Sequence, residues 1–209
     1  MRQTIVIFDI DGVIFDAPKF LSVFCEKTVR ENNLGEETEK LKSLYEEVKK
    51  EKGFFDPQIF LTKISSKYSI AKEVLERFWW DEKSFSECLL IDENFLKEIQ
   101  KKAVIGIFSK GEINFQKKKI EKFMNMINPH DVHIFEDKMI KINEVLAKYK
   151  DYKIYIVDDD LQVLENFKRV DNLVFTILVK REKTTTAYSK TDIVIENVLQ
   201  IIPLLSDFK

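Results

Sequence analysis

Short apolar runs rich in β-branched residues recur along this chain, and most are separated by segments of helical spacing. Thr4–Phe8, Ala103–Phe108, Val132–Phe135, Lys153–Val157, Leu173–Leu178 and Asp192–Ile195 have the length and composition of buried strands. Between the later runs, amphipathic patterns predict helices over about Ile113–Met126, Met139–Lys150 and Leu161–Lys168. Ile142, Val145, Leu146 and Tyr149 share one helical face. Strand and helix in alternation predict an α/β fold with a parallel sheet covered on both faces.

The stretch from about Asp16 to Leu90 breaks this rhythm. It carries no strand pattern and reads as several helices, with breaks at Asn32-Asn33, Gly53 and Asp56-Pro57. Pro18 and Pro57 suit a first helical turn, and Asp56 and Ser69 suit N-caps. Leu41, Leu44, Tyr45 and Val48 form one apolar stripe; Val74, Leu75, Phe78 and Trp79 form another. A helical insertion after the first strand predicts a second small domain, residues 16–90, set into an α/β unit made of 1–15 and 91–209. Its attachment beside the end of the first strand makes it a natural lid. Thr184-Thr185-Thr186 reads as a polar loop, and no internal repeat is visible.

Composition narrows the function classes. Acids outnumber bases by two, so no global field draws the chain to nucleic acid or anionic lipid. The basic cluster Lys117-Lys118-Lys119 sits among acids on a predicted helix surface, and the charges of Glu36–Lys52 read as a solvated helix face. Cys25 and Cys88 fit no CxxC pattern and read as reduced core residues. The first strand begins almost at Met1, so no signal peptide is expected, and no apolar stretch is long enough to span a bilayer. A cytoplasmic protein is expected. His130 and His133 are the only histidines, which argues against a His-based metal site or a Ser-His-Asp triad.

The candidate chemistry lies at the strand ends. The first strand runs into Asp9-Ile10-Asp11-Gly12, and buried strands do not ordinarily close on two acids. The carboxyl edge of an open parallel sheet is, however, where such folds place their ligand crevice. The second run leads to Ser109-Lys110-Gly111, the third to Glu136-Asp137-Lys138, and the fourth to Asp158-Asp159-Asp160. For a phosphate ester each part has a reason. One carboxylate can attack phosphorus, and a second can protonate the leaving oxygen and then deprotonate water. Magnesium prefers carboxylate oxygens, while a hydroxyl and a lysine can hold phosphoryl oxygens as charge builds there. Taken singly each signal is weaker. Asp-Gly is a turn signal, Ser109 is a ready N-cap, Lys138 could be solvated, and the Asp run could be a capped loop.

Together, Ile7-Phe8-Asp9-Ile10-Asp11-Gly12-Val13, Gly106-Ile107-Phe108-Ser109-Lys110-Gly111, Lys138 and Ile156-Val157-Asp158-Asp159-Asp160 resemble the four motifs of the haloacid dehalogenase superfamily. The resemblance spans the whole chain, with the insertion where that family carries its C1 cap. It implies a Rossmann-like parallel sheet flanked by helices, with an inserted all-helical cap. The run from Ser109-Lys110-Gly111-Glu112 through Gln116 to Lys119 is similar to that of one phosphatase-like branch, as are Val157…Leu161…Glu165-Asn166…Lys168 and Val179-Lys180-Arg181.

Carried over, the resemblance makes Asp9 the nucleophile and Asp11 the general acid/base, with the Asp11 backbone carbonyl also reaching magnesium. Ser109 and Lys110 would bind the phosphoryl group. Lys138 would neutralise it and orient Asp9, with Lys141 one turn on as the alternative. Asp159 would be the direct metal ligand, with Asp158 beside it. Val13 stands where the family often has Thr, and Asp158 where it usually has Gly or Glu.

The implied activity is a magnesium-dependent phosphatase acting on a small phosphorylated metabolite. Dehalogenases lack an acid at the position of Asp11. A phosphomutase would keep it, and a phosphoacceptor or non-catalytic module is the competing class. Of Trp79 and Trp80, one should pack in the cap and the other could face the cleft. Phe15, Asp16 and Phe20 read as hinge and packing residues or substrate contacts.

Overall fold

The computed structural model describes residues 2–180 and 191–207. Six strands, β1 (Thr4–Phe8), β2 (Val104–Lys110), β3 (Val132–Phe135), β4 (Lys153–Asp158), β5 (Phe175–Val179) and β6 (Ile193–Ile195), form one sheet in the order β3-β2-β1-β4-β5-β6. Every neighbouring pair is parallel. A parallel sheet is buried on both faces, which explains the unbroken apolar runs: Ile5, Val6, Ile7 and Phe8 are all fully buried. The pleat sorts them. Val6 and Phe8 join the core shared with the inserted helices, and Ile5 and Ile7 join the core on the other face.

Five helices lie between β1 and β2 before the chain rejoins the sheet: α1 (Ala17–Glu31), α2 (Thr38–Lys52), α3 (Pro57–Tyr68), α4 (Lys72–Trp79) and α5 (Glu82–Glu87). A sixth, α6 (Glu93–Gln100), leads into β2. Asp16 caps α1 by accepting from the Lys19 N–H, and Asp56 caps α3 by accepting from Gln58 and Ile59. Gly53 closes α2 in the left-handed conformation, φ 79°. The chain leaves and returns side by side: the Asp16 N–H donates to the Cys88 carbonyl and the Leu90 N–H to that of Ile14, both at 2.8 Å. Trp79 is fully buried against Phe20, Phe24, Phe55 and Phe60. The remaining helices are α7 (Ile113–Lys119), α8 (Ile142–Lys148), α9 (Leu161–Val170) and α10 (Ile201–Asp207).

The differences from expectation are local. β2 continues through Ser109 and Lys110 because they pair with Ile134 and Phe135 of β3. The helix expected over Ile113–Met126 stops at Lys119. There the Ile120 N–H bonds the Lys117 carbonyl, tightening the turn into a 3-10 segment at Glu121–Phe123. Met139–Lys141 is likewise a 3-10 turn preceding α8. β5 starts at Phe175, since Leu173 is exposed. Ser69 is not an N-cap: at φ 54° it closes α3, and Ala71 precedes α4 with no side-chain bond. Thr184-Thr185-Thr186 and Arg181 lie outside the described residues. No helix among the described residues is long and apolar enough to cross a membrane.

Candidate active site

β1 and β4 lie side by side, so their ends carry carboxylates to one edge. Asp9 follows β1 directly, its N–H donating to the Val157 carbonyl of β4 at 2.9 Å. Asp158 is the last residue of β4, and Asp159 comes next. One oxygen from each of Asp9, Asp158 and Asp159 lies within 4.8 Å of the other two. Lys138, in the connection after β3, enters from the side. Its Nζ is 2.7 Å from Asp158 Oδ2 and 3.2 Å from Asp9 Oδ1. Only the Asp158 contact has hydrogen-bond geometry, so Asp9 Oδ1 is buried with an ion-pair neighbour but no hydrogen-bond donor.

The electrostatics follow from this crowding. Burial works against the Lys138 ammonium, yet Asp9 and Asp158 outweigh it and hold its pKa above the usual lysine value. Burial first, and then the charge of Asp9, push the Asp158 carboxyl upward. The Asp160 N–H donates to Asp158 Oδ1, while the Asp160 side chain caps α9 at Gln162. Asp159 keeps an exposed outer face. The atoms packed on its other side, and then the charge of Asp9, push its carboxyl up to about 7. Gly12 makes room for it. A Cβ there would lie 1.9 Å from Asp159 Oδ2, and φ at Gly12 is +77°.

Three buried or crowded carboxylates facing a single ammonium leave uncompensated negative charge. Oxygen donors of this kind, one of them a buried acceptor without a donor, suit a hard dication such as magnesium.

The Asp11 carboxylate is not part of this cluster. It turns to α7, where Lys119 Nζ donates to both of its oxygens at 2.7 Å and Gln116 Nε2 to Oδ2 at 3.0 Å. Ser109 is 1% exposed within β2 and does not line the cavity over the site. Nor is it a cap, because Glu112 accepts from the N–H groups of Asn114 and Phe115 at the start of α7. Lys110 is exposed at the cavity wall. Lys141 points elsewhere, bonded to Glu144.

The cavity has a volume of about 830 Å³. Asp9, Asp11, Lys138, Asp158 and Asp159 line it from the sheet edge, Leu21, Tyr45, Glu46 and Lys49 from the inserted helices, and Phe55 from the connection between α2 and α3. Tyr45 and Lys49 were legible only as a core stripe and a solvated face; the winding of α2 turns both toward the cavity. Neither tryptophan lines it. Trp79 is core, and Trp80 packs on Phe85 and Phe115. Phe15 and Phe20 are buried packing residues, and Asp16 is a cap. Gln116 and Lys119 belong to a run noted in the sequence, but nothing local marked them as partners of Asp11.

No protein-family model matches the chain, and no curated protein matches it. Solved structures do. A protein named as a haloacid dehalogenase-like hydrolase from Burkholderia xenovorans superposes with a TM-score of 0.78 at 18% identity, over 99% of this chain and 98% of that one. The fold is that of haloacid dehalogenase-like hydrolases. The HAD-hydrolase YfnB from Bacillus subtilis, solved bound to magnesium, shares it with a TM-score of 0.67 at 14% identity, over 99% and 100% of the two chains. So does the L-2-haloacid dehalogenase from Xanthobacter autotrophicus with chloropropionic acid covalently bound, with a TM-score of 0.68 at 11% identity over 99% and 100%. Within this fold, the acidic edge described above lies at the carboxyl end of a parallel sheet, where open α/β folds bind their ligands.

Proposed function

We propose that this chain is a magnesium-dependent phosphatase that hydrolyses a small phosphorylated metabolite through an aspartyl-phosphate on Asp9. The observation that carries the reading is the pairing of two acids two residues apart with different surroundings. Asp9 sits against Lys138, Asp158 and Asp159, and Asp11 stands apart in contact with α7. In the first step an Asp9 oxygen attacks phosphorus, the bond to the leaving oxygen breaks, and Asp11 gives that oxygen a proton. In the second, Asp11 takes a proton from water as the water attacks the acyl phosphate, releasing inorganic phosphate and the Asp9 carboxylate. Lys138 holds Asp9 in place and neutralises phosphoryl oxygens, with Lys110 at the cavity wall as a second cation. Magnesium held by Asp9, Asp158 and Asp159 would screen the charge between nucleophile and phosphoryl group.

Haloacid dehalogenation fits less well. A halide leaves as an anion and needs no proton, so Asp11 would have no task. The test is a phosphate-release screen over a metabolite panel with magnesium, with 2-chloropropionate and halide release as the control. Turnover of a phosphate ester that is lost in Asp9→Asn, and lost reversibly with EDTA, is the expected result. Halide release without phosphate release, or full activity in Asp9→Asn, would overturn the proposal. Conversion of a sugar phosphate to its isomer without phosphate release would make the chain a mutase instead.

A further inference from the structure

We propose that Lys119, together with Gln116, is the positioning residue for Asp11, holding its carboxylate in one orientation at the cavity wall; this rests on the phosphatase reading above. The Asp11 side chain is 35% exposed and lines an open cavity, so on its own it would sample several rotamers. Three donor contacts from two side chains of one helix remove that freedom.

Structural need does not explain the arrangement. The Lys119 side chain is 3% exposed, and its ammonium is flanked by the rings of Phe115 at 4.2 Å and Phe15 at 5.5 Å. An apolar side chain would fill that space without burying a charge, and buried ion pairs replaced as a whole by apolar groups often leave stability unchanged or raised. Asp11 itself does not require the cation, since its exposed edge can be hydrated.

Gln116 repeats the pattern. Its Nε2 donates to Asp11 and to the Lys110 carbonyl, while its Oε1 is buried without a partner. A Cβ at residue 111 would lie 2.5 Å from that Nε2, so Gly111 is the residue that admits the amide. A buried ammonium and an amide N–H, the latter admitted by a glycine at φ 149°, converge on one carboxylate. Their common product is a fixed Asp11. Phe115, just before Gln116 and one turn before Lys119 on α7, packs on Trp79 and Phe55 at 5.2 and 5.7 Å, which anchors the clamp against the inserted segment.

Positioning of a proton donor has a signature that general damage lacks. The quantity kcat/KM reports events through departure of the leaving group. A poor leaving oxygen needs the Asp11 proton; p-nitrophenolate hardly does. The experiment measures kcat/KM with magnesium for p-nitrophenyl, p-chlorophenyl and phenyl phosphate in wild type, Lys119→Met, Lys119→Arg and Gln116→Leu, with thermal melts alongside.

The expected result is that Lys119→Met loses about 10²-fold on phenyl phosphate but less than about 5-fold on p-nitrophenyl phosphate. Lys119→Arg should recover most of the loss, and Gln116→Leu should show a smaller tilt of the same sign. Equal losses on all three esters in folded variants, or no loss, would overturn the inference while leaving the phosphatase reading intact. If Lys119→Met does not fold, the tilt in Gln116→Leu decides. A wild type with no turnover of any phosphate ester would overturn the reading, and this inference with it.

Discussion

Replacing Gly12 by alanine tests the geometry of the acidic edge with one methyl group. The new Cβ would lie 1.9 Å from Asp159 Oδ2 and 2.4 Å from its Cγ, whereas ordinary contact begins near 3.4 Å. The carboxylate must therefore retreat by about 1.5 Å, three times the roughly 0.5 Å tolerance of a working constellation. Rotating Asp159 carries its carboxylate away from the methyl and still leaves its own Cβ at 3.0 Å, tighter than ordinary contact. The backbone adds about 1 kcal/mol for an L-residue at φ +77°. Gly35 supplies the control, since at φ +66° a Cβ there meets nothing within 4 Å. Gly35→Ala carries the same backbone penalty without the contact. Titration calorimetry with magnesium on the two variants isolates the contact. We expect Gly12→Ala to bind at least tenfold more weakly than Gly35→Ala, a difference of about 1.4 kcal/mol. Equal magnesium affinity in both variants would refute the placement of Asp159 in the metal site.

Two further outcomes follow from the same edge. Lys138→Met leaves Asp9 and Asp158 buried without their cation, so urea unfolding should show a loss of about 3–5 kcal/mol and phosphate release should vanish. Lys141→Met, whose partner Glu144 is on the surface, should change neither, and the opposite ranking would move the functional lysine to 141. Asp159 has a folded pKa raised to about 7, so the folded state takes up a proton more readily than the unfolded chain and metal-free stability falls as pH rises from 4 toward 7. Magnesium competes with that proton. The rise in melting temperature on adding magnesium should therefore grow between pH 5 and pH 8, and a constant increment across that range would contradict the assignment.

Much of this was legible in the chain because it is local. β1 and β3 lie at the bounds the apolar runs define, and Asp9, Asp158 and Asp159 meet because each follows or ends a strand of one parallel sheet. What the sequence hid depends on distant partners. Ser109 and Lys110 look like a loop, but β3 extends the pairing through them. The end of α7 at Lys119 lies among charged residues whose helical pattern continues, and only buried Ile120 and Phe123 show why the chain tightens there. Asp11 finds its partners 105 and 108 residues away, a contact that no spacing rule encodes. Lys49 and Tyr45 became cavity residues only once α2 was packed against α1 and α3.

The account stands on covalent chemistry at one side chain. A turnover mixture quenched with borohydride reduces an aspartyl-phosphate to homoserine, which mass spectrometry can locate in the chain. The account predicts this conversion at Asp9 alone, dependent on substrate. Active enzyme with unmodified Asp9, or with the conversion at another aspartate, would contradict it.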